Sequence, residues 1–385
     1  MSDDAPQTTP ARFGTFAGVF RPITLTILGA MLYLREGWLV GQAGVIGALI
    51  VICAAYAITG ATALSLASIA SNVRVRPGGA FAIIAQSLGL EAGAAIGYPL
   101  YIAQAASAAM YIYAFAEGWA FIFPDHPPLV VEGIGFTACA LLAWRSSGLA
   151  MKAQGVMLFV VLLAVGSAAL GIFTSPRVPA HWVGELPDVG LIGGFAIFFP
   201  AATGIMVGAG MSGSLSNPRK SIPRGTLLAW ATTFAIYAAF AGWYGVMALP
   251  DELIHNKGLM IQRALVPELV LAGLLSSTLM ASLSSLVAAP KLLQAMADHG
   301  VTPASAWLSK TTDQGEPRNA VLVTTALAAT GLAAGSLDAI APVITSFFIM
   351  TYLAINGVVA VERTLGMISF RPAFPVSASV PIVGL

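Results

Sequence analysis

Ten long apolar runs, joined by short polar connections, constrain the fold of this chain more than any other feature. Each run approaches the roughly 20 residues that a helix needs to cross a bilayer. Of the 385 residues, 57% are hydrophobic and 9% are charged, whereas about a quarter of the residues in a soluble domain are charged. We therefore predict an all-α polytopic membrane protein whose main partner is the lipid bilayer. The ten predicted spans cover residues 22–40, 43–69, 90–115, 129–144, 151–173, 191–211, 222–249, 266–296, 320–334 and 339–361.

The ends of the chain and its basic residues predict an orientation. Residues 1–17 form a polar tail that lacks the charged and apolar regions of a cleavable signal. With this tail inside, only four basic residues fall on the outer side, and positive charge collects in cytoplasmic loops. We predict a multi-pass protein of the cell membrane with a cytoplasmic N-terminus. Residues 18–364 are predicted to form a ten-helix core. Residues 365–385 are predicted to form a loop and the start of an eleventh span, as in a truncated chain.

Charge and reactive side chains exclude several functional classes. A net charge of +1 argues against a nucleic acid partner. Cys53 and Cys139 lie in apolar runs and are predicted to be buried, without a disulfide or a bound metal. All four histidines fall in polar connections, and no nucleophile–base pair, metal cluster or phosphate-binding loop is recognisable. The sequence therefore predicts neither an enzyme nor a cofactor.

Two of the apolar runs are interrupted near their centres. The sixth contains FFPAATGIM, residues 198–206, in which Pro200 removes a helical hydrogen bond and Gly204 follows one turn later. The first contains ILGAM, with Gly29 at its middle. Lipid cannot satisfy the backbone groups that a break frees, so both breaks must face protein or a water-filled cavity. Breaks at corresponding positions of inverted repeats indicate the central site of a transporter, and the repeats here would cover about residues 18–175 and 188–364.

The interrupted runs also limit the chemistry of the central site. No Asp or Glu lies in the middle of the first, third, sixth or eighth span, which argues against proton coupling because membrane carboxylates commonly carry it. The site offers backbone carbonyls and amides together with the hydroxyls of Thr26, Tyr111, Thr203 and Tyr352. A neutral site of this kind suits either a zwitterion or a cation that travels with an anion, and these residues leave both alternatives open.

At these residues the chain resembles the cation–chloride cotransporters, which belong to the amino acid–polyamine–organocation superfamily. The motifs ILGAMLYLR (27–35) and FFPAATGI (198–205) are the most specific to that family, whereas SLSNPRKSIPRG (214–225) is shared across the superfamily. The similarity runs from about Gly18 to the end of the chain. It implies a LeuT-type fold of 5+5 inverted repeats with broken first and sixth transmembrane helices, in a prokaryote-like short form. It also implies a homodimer.

The resemblance further implies ion sites at the two breaks. Potassium would be coordinated by oxygen atoms alone, which suits a weakly hydrated cation that must also leave. These oxygens are the carbonyls of Thr26, Ile27 and Pro200 and the hydroxyls of Tyr111 and Thr203. Chloride would be bound by two sets of amides, those of Gly29, Ala30 and Met31 and those of Gly204, Ile205 and Met206, the second set together with the hydroxyl of Tyr352. Thr26 departs from the asparagine usual in the family, which a carbonyl ligand tolerates.

One position departs from the sodium-coupled members of the family. Those members carry two adjacent serines in the eighth span, where this chain has Met280 and Ala281. A thioether and a methyl group cannot replace hard oxygen ligands. A lost sodium site is therefore predicted, unless the serines at 276 and 277, one turn away, take the place of the missing pair.

Arg35 and Glu117 match two residues that the cation–chloride cotransporters carry at the outer ends of their first and third spans. There they would form part of an outer gate, or they would only anchor two helices.

The chain is thus predicted to be a secondary active transporter, an electroneutral and sodium-independent symporter of K⁺ and Cl⁻ that works by alternating access. The alternatives are an amino acid or amine permease of the same superfamily, a sodium-dependent cation–chloride cotransporter, and a membrane partner that transports nothing. No cofactor is expected beyond the transported ions.

Overall fold

The structure is a computed structural model that describes residues 13–72, 79–145, 147–184, 190–210, 215–312, 315–365 and 372–385. Within these residues the only extended pairing joins Phe13 to Leu215, and the rest of the regular structure is helical. The helices are α1 (Arg21–Ile27), α2 (Ala30–Leu34), α3 (Glu36–Asn72), α4 (Gly79–Leu88), α5 (Leu90–Ala120), α6 (Pro128–Arg145), α7 (Ser147–Leu170), α8 (Gly190–Phe198), α9 (Met206–Gly210), α10 (Pro218–Met247), α11 (Pro250–His255), α12 (Leu259–Gln262), α13 (Pro267–Asp298), α14 (Ser305–Leu308), α15 (Arg318–Gly331), α16 (Leu337–Thr364) and α17 (Ser379–Val383).

Eight stretches of the described chain are long and apolar enough to cross a membrane. They coincide with the first, second, fourth to eighth and tenth predicted spans. The third predicted span is α5, which has 31 residues but a more polar composition. The ninth is α15, whose 14 residues are fewer than a straight crossing needs. The all-α polytopic architecture predicted from the sequence is confirmed.

The first and second predicted spans meet at a sharp bend rather than at a loop. α3 bends at Gly44, whose φ of 68° and ψ of 173° interrupt the helix. The segment 181–184 fills the bend, and the amide of Gly184 donates to the carbonyl of Ala43 (3.0 Å). A β-carbon at position 44 would lie 2.7 Å from backbone atoms of that segment. The positive φ and the close approach therefore both require glycine.

Long helices pack around the two interrupted spans. α3 packs along α10, α13 lies against both α5 and α7, and α16 lies against α5. The short helices α1 and α9 and the segment 199–205 lie inside this frame and contact one another. α1 and α2 are almost entirely buried, whereas the long helices expose large apolar side chains, as helices in contact with lipid do. The interrupted spans form the centre of the molecule.

The two cysteines differ in their surroundings. Cys139 is buried, but Cys53 is exposed on α3, so the prediction of burial is wrong for Cys53. The physical reason is that lipid satisfies an apolar side chain of a membrane helix as well as protein does. An apolar run therefore does not reveal which of its side chains face the core. Both thiols are free.

Three parts of the predicted features lie outside the described residues. These are residues 1–12 of the predicted tail, residue 214 of the superfamily motif and residues 366–371 of the predicted final loop. A helix with π-type hydrogen bonding, Phe16–Phe20, runs directly into α1, so the first span begins earlier than residue 22. Beyond residue 372 the described chain contains only the short helix α17, and the predicted eleventh span stays a prediction.

Candidate functional site

The interrupted first and sixth spans meet at the centre of the bundle. The first span breaks between α1 and α2, where Leu28 (φ −78°, ψ 50°) and Gly29 (φ −111°, ψ −142°) are not helical. Gly204 of the sixth span faces this break, because its β-carbon would lie 2.8 Å from Cγ1 of Ile27 and 3.2 Å from Cβ of Thr26. The predicted pair of breaks is confirmed, and the missing side chain at Gly204 lets the two backbones approach.

The break in the sixth span takes a different form from the break in the first. Residues 199–205 form a 3₁₀-helix between α8 and α9, with Pro200 in its first turn. A proline there costs no hydrogen bond, because first-turn amides have no partner within their helix. Each later amide of a 3₁₀-helix bonds to the carbonyl three residues before it. The sequence predicts free backbone groups around Pro200, whereas in the structure the backbone there forms a tighter helix.

Two buried tyrosines donate hydrogen bonds to carbonyls at the breaks. The hydroxyl of Tyr237 on α10 donates to the carbonyl of Ile27 (2.8 Å), the last residue of α1. The hydroxyl of Tyr352 on α16 donates to the carbonyl of Thr203 (2.8 Å), which brings Tyr352 to the second break. Both tyrosines are fully buried. Sequence reasoning missed Tyr237, although a tyrosine in the middle of an apolar span is a signal that could have found it.

Tyr111 and Thr203 lie at the same crossing. The hydroxyl of Thr203 donates to the carbonyl of Pro200 (2.8 Å). Tyr111 on α5 stands beside the first break, since Cε1 of its ring lies 3.9 Å from the position of a β-carbon at Gly29. The Tyr111 side chain is 4% exposed, and its hydroxyl has no hydrogen-bond partner among the described residues. This hydroxyl is therefore not committed to any hydrogen bond with the described residues at the centre of the bundle.

The two groups of predicted chloride-binding amides lie at helix starts. Residues 29–31 lead into and begin α2 and are buried, and amides in a first turn have no acceptor within the helix. Residues 204–206 cover the junction of the 3₁₀ segment with α9. Amides inside the 3₁₀ segment are engaged with carbonyls of the same segment. In this conformation the first group is therefore better placed than the second to bind an anion.

The eighth span, α13, carries the residues predicted to mark a lost sodium site. Ala281 is buried, while Met280 is partly buried and packs in a small apolar cluster with residues of α5 and α6. Of the nearby serines, Ser277 is fully buried and donates to the carbonyl of Leu274 (3.1 Å). Ser276 donates to the carbonyl of residue 272 (2.6 Å). Both serine hydroxyls thus bond to the preceding turn of their own helix.

Arg35 lies in the turn after α2 and forms ion pairs with two other spans. Its Nη1 and Nη2 lie 2.9 and 2.8 Å from the carboxylate oxygens of Glu117 on α5. Its Nε lies 2.6 Å from Oδ1 of Asp338, in the first turn of α16. Nζ of Lys257 lies 3.5 Å from Glu117. The Arg35 side chain is 2% exposed, whereas Glu117 is 26% and Asp338 is 44% exposed, so the guanidinium is shielded from water more than its partners are.

Sequence reasoning missed Asp338 and Lys257. An acidic residue in the first turn of a helix also stabilises the helix dipole, so its presence there does not reveal a partner in another span. Lys257 lies in a connection that the sequence places on the outer side, without any motif around it. In the described part of the chain, no group of three or more His, Cys, Asp or Glu side chains could hold a metal ion.

The fold and the site together define a membrane carrier with two interrupted helices that cross at its centre. Such interruptions form the binding sites of carriers that are built from repeats. A model of the amino acid permease family matches residues 19–379. The chain therefore belongs to the amino acid permease family.

Curated relatives narrow this assignment. Human solute carrier family 12 member 2 is 32% identical over 94% of this chain and 35% of its own length. Cation-chloride cotransporter 1 of Oryza sativa is 31% identical over 95% of this chain and 43% of its own length. An uncharacterized transporter of Schizosaccharomyces pombe is 29% identical over 94% of this chain and 38% of its own length. The chain thus spans between about a third and two fifths of these relatives. The predicted resemblance to cation–chloride cotransporters is confirmed, and the family is one of transporters rather than enzymes.

Proposed function

We propose that the chain is a secondary active transporter that moves K⁺ together with Cl⁻, electroneutrally and without sodium, by alternating access. The observation that carries the proposal is the crossing of two helix breaks beside Tyr111, a residue that is 4% exposed and whose hydroxyl makes no hydrogen bond to the described residues. The proposed potassium ligands, Thr26, Ile27, Tyr111, Pro200 and Thr203, all belong to the elements that meet there. The similarity to a cation-chloride cotransporter of rice supports the same class of substrate.

An uncharged oxygen site suits potassium on physical grounds. Oxygen dipoles can replace the hydration shell of a weakly hydrated cation and still let it leave. The carbonyl of Ile27 accepts a hydrogen bond from Tyr237 in this conformation. A bound cation would compete with that bond for the carbonyl lone pairs, so we expect ion entry to weaken the contact of Tyr237 with α1.

A chloride ion beside the potassium ion would keep the transported load neutral. The amides of residues 29–31 present the partial positive charge of a helix start toward the crossing. The amides of residues 204–206 and the hydroxyl of Tyr352 form the second proposed chloride site. In this conformation that hydroxyl donates to the carbonyl of Thr203, so chloride would have to draw the hydroxyl away from it.

The proposal that transport does not need sodium rests on residues of the eighth span, α13. Met280 and Ala281 stand where sodium-coupled members carry oxygen ligands, and neither side chain can coordinate sodium. The hydroxyl of Ser277 bonds to its own helix, which supports the same conclusion. We propose further that the transporter lies in the cell membrane with its N-terminus in the cytoplasm and that it forms a homodimer.

Uptake of radioactive rubidium, a potassium substitute, into proteoliposomes tests the proposal. We expect uptake to require chloride, to fall when gluconate replaces chloride, and to ignore sodium. Tyr111→Phe removes only the free hydroxyl and should lower uptake about tenfold, a loss of roughly 1.4 kcal/mol of ion binding. Uptake that ignores chloride would refute the symport, and uptake that needs sodium would refute the assignment of α13.

An amino acid or amine permease is the second candidate, and the match to the amino acid permease family favours it. A zwitterion could place its carboxylate at the amides of residues 29–31 and its ammonium at the carbonyls of the crossing. Melting of the purified protein distinguishes the two candidates. Stabilisation by a panel of amino acids, with none from potassium plus chloride, would favour the permease.

A further inference from the structure

Glu36 is a buried carboxyl group that the proposed ion sites do not use. It begins α3, directly after Arg35, and its exposed fraction is 0%. Neither of its carboxyl oxygens has a hydrogen-bond partner among the described residues. A buried carboxylate without a partner is strongly unfavourable, because burial strips the charge of its hydration. The environment of Glu36 therefore determines whether the group can carry a charge.

The position of Glu36 along the first span places it within the membrane. It follows Gly29 by seven residues, which corresponds to about 10 Å along a helix axis. Binding sites formed by such breaks lie near the bilayer midplane, and the hydrocarbon half-thickness is about 15 Å. Glu36 also begins one of the stretches that are long and apolar enough to span. An ionisable residue at such a depth is usually functional.

Three phenol groups lie near the carboxyl of Glu36. Tyr56 of the same helix and Tyr237 and Tyr244 of α10 lie within electrostatic range of its carboxyl. The hydroxyls of Tyr237 and Tyr244 are already committed, since they donate to the carbonyls of Ile27 and of residue 32. None of these three tyrosines carries a positive charge that could neutralise a carboxylate.

Arg35 and the acidic side chains of α11 have partners other than Glu36. Arg35 is held by Glu117 of α5 and Asp338 of α16. On α11, which packs against α3, Glu252 pairs with Arg263 (3.0 Å). Asp251, also on α11, lies 3.3 Å from the imidazole of His255 at the surface. α8, the segment 199–205 and α17, which also pack against α3, contain no ionisable residue.

A proton is the ligand that this environment fits. A bound metal cation would need several oxygen ligands around it, whereas no group of three or more His, Cys, Asp or Glu side chains in the described part of the chain could hold a metal ion. A proton needs only one carboxyl oxygen and removes the charge. We propose that Glu36 is a proton-binding site, protonated while Arg35 is paired with Glu117 and Asp338, and ionised when that network opens to the outer water.

The coupling between the ion pairs of Arg35 and the protonation of Glu36 follows from their adjacent positions in the chain. Arg35 and Glu36 are consecutive, and Arg35 lies in the turn (φ −125°, ψ −21°) between α2 and α3. A movement that separates Arg35 from its acidic partners therefore also moves the first turn of α3. Water that then reaches Glu36 takes the proton as hydronium and leaves a carboxylate. Closing the network takes one proton back from the outer solution, so external acid favours the closed state.

This inference rests on the proposed transport function, and its test separates the two. Infrared difference spectroscopy of the full chain in lipid detects the carbonyl stretch of a protonated carboxyl group without any transport. We expect a band that Glu36→Gln removes. In proteoliposomes, rubidium uptake should rise several-fold as the external pH is raised at constant internal pH, whereas Glu36→Gln should make uptake independent of external pH.

Two further variants keep the test decisive. Glu36→Leu replaces the carboxyl group by an apolar side chain and serves as the test if Glu36→Gln fails to fold. It should also give uptake that is independent of external pH. His255→Gln removes an imidazole at the surface of α11 and should keep the wild-type pH dependence. An infrared spectrum that is identical for wild type and Glu36→Gln would overturn the proton site. So would an unchanged pH profile in both Glu36 variants. A missing rubidium flux in every protein, with the infrared band present, would overturn the proposed transport but not the proton site.

Discussion

At the scale of single residues, hydrogen bonds from tyrosine hydroxyls link the broken first span to α10. Tyr237 donates to the carbonyl of Ile27 (2.8 Å) before the break, and Tyr244 donates to the carbonyl of Leu32 (3.1 Å) after it. The two tyrosines are seven residues apart, two helical turns, and so lie on one face of α10. A carbonyl freed by a break has no acceptable partner in lipid. Each hydroxyl therefore offsets part of the cost of interrupting the helix.

Removing one of these hydroxyls should destabilise the protein. Tyr237→Phe leaves the carbonyl of Ile27 buried without its donor, which should lower the free energy of unfolding by about 1–3 kcal/mol. Tyr33→Phe is the matched control, because the hydroxyl of Tyr33 is buried and has no hydrogen-bond partner among the described residues, so its loss should cost little. Thermal melting in detergent measures both variants. Equal losses would show that the bond to Ile27 contributes nothing specific.

The two acidic partners of Arg35 should contribute unequally to stability. Glu117 accepts from both Nη atoms and is 26% exposed, whereas Asp338 is 44% exposed. Removing one partner of a shielded ion pair costs about 3 kcal/mol or more, while solvent-exposed pairs contribute about 0–1 kcal/mol. We expect Glu117→Gln to lower the melting temperature more than Asp338→Asn. The reverse order would mean that Asp338 is the main partner of the buried guanidinium.

At the scale of elements, the contact between the two interrupted spans depends on the lack of a side chain at Gly204. A β-carbon there would lie 2.8 Å from Cγ1 of Ile27 and 3.2 Å from Cβ of Thr26, and separations this short are not tolerated without movement. α1 and the 3₁₀ segment would have to separate by a fraction of an ångström. Because both segments supply the proposed potassium ligands, the separation would also enlarge the ion site.

Gly204→Ala should therefore lower rubidium uptake at least tenfold and reduce stability by about 1–3 kcal/mol, the usual cost of overpacking. Gly242→Ala on α10 is the control. A β-carbon at Gly242 meets no atom within 4 Å, and replacing a helical glycine by alanine favours the helix by about 1 kcal/mol. Uptake and melting of both variants check the expectation. A Gly204→Ala protein with full uptake would exclude tight contact between the breaks during transport.

The positions of the helix breaks could be predicted from the sequence, but their form and their partners could not. Gly29 and Pro200 mark the two breaks, because glycine and proline change the backbone locally. The 3₁₀ geometry of residues 199–205 depends on packing against α1, which no local pattern encodes. Tyr237 and Asp338 come from other spans, and the rotation that directs their side chains is set by packing between helices. For the same reason Cys53 was wrongly expected to be buried.

Buried charge was also hard to predict. Glu36 follows Arg35 directly in the sequence. In the structure Arg35 turns to Glu117 and Asp338, and Glu36 is left without a partner among the described residues. The sequence argument against proton coupling considered only the middle of four spans. It therefore missed a carboxyl group at the start of α3.

At the scale of the whole molecule, the outer and central layers of the bundle have different chemistry. The outer layer is held by the charged network of Arg35, which joins the first, third and tenth spans. The central layer contains neutral hydroxyls and carbonyls at the crossing of the two breaks. In the alternating-access cycle that we propose, the charged network opens and closes while the neutral crossing holds the ions, so mutations in the two layers should have separable effects.

Coupling between the two ions is the central claim, and one flux measurement tests it most directly. Proteoliposomes would receive an inward rubidium gradient in the absence of sodium, with equal concentrations of radioactive chloride on both sides. Symport predicts that rubidium drives chloride transiently above its equilibrium level inside the vesicles, and that Tyr111→Phe lowers this accumulation in step with its lower rubidium uptake. Chloride that stays at equilibrium, in vesicles that do take up rubidium through the wild-type protein, would contradict the account.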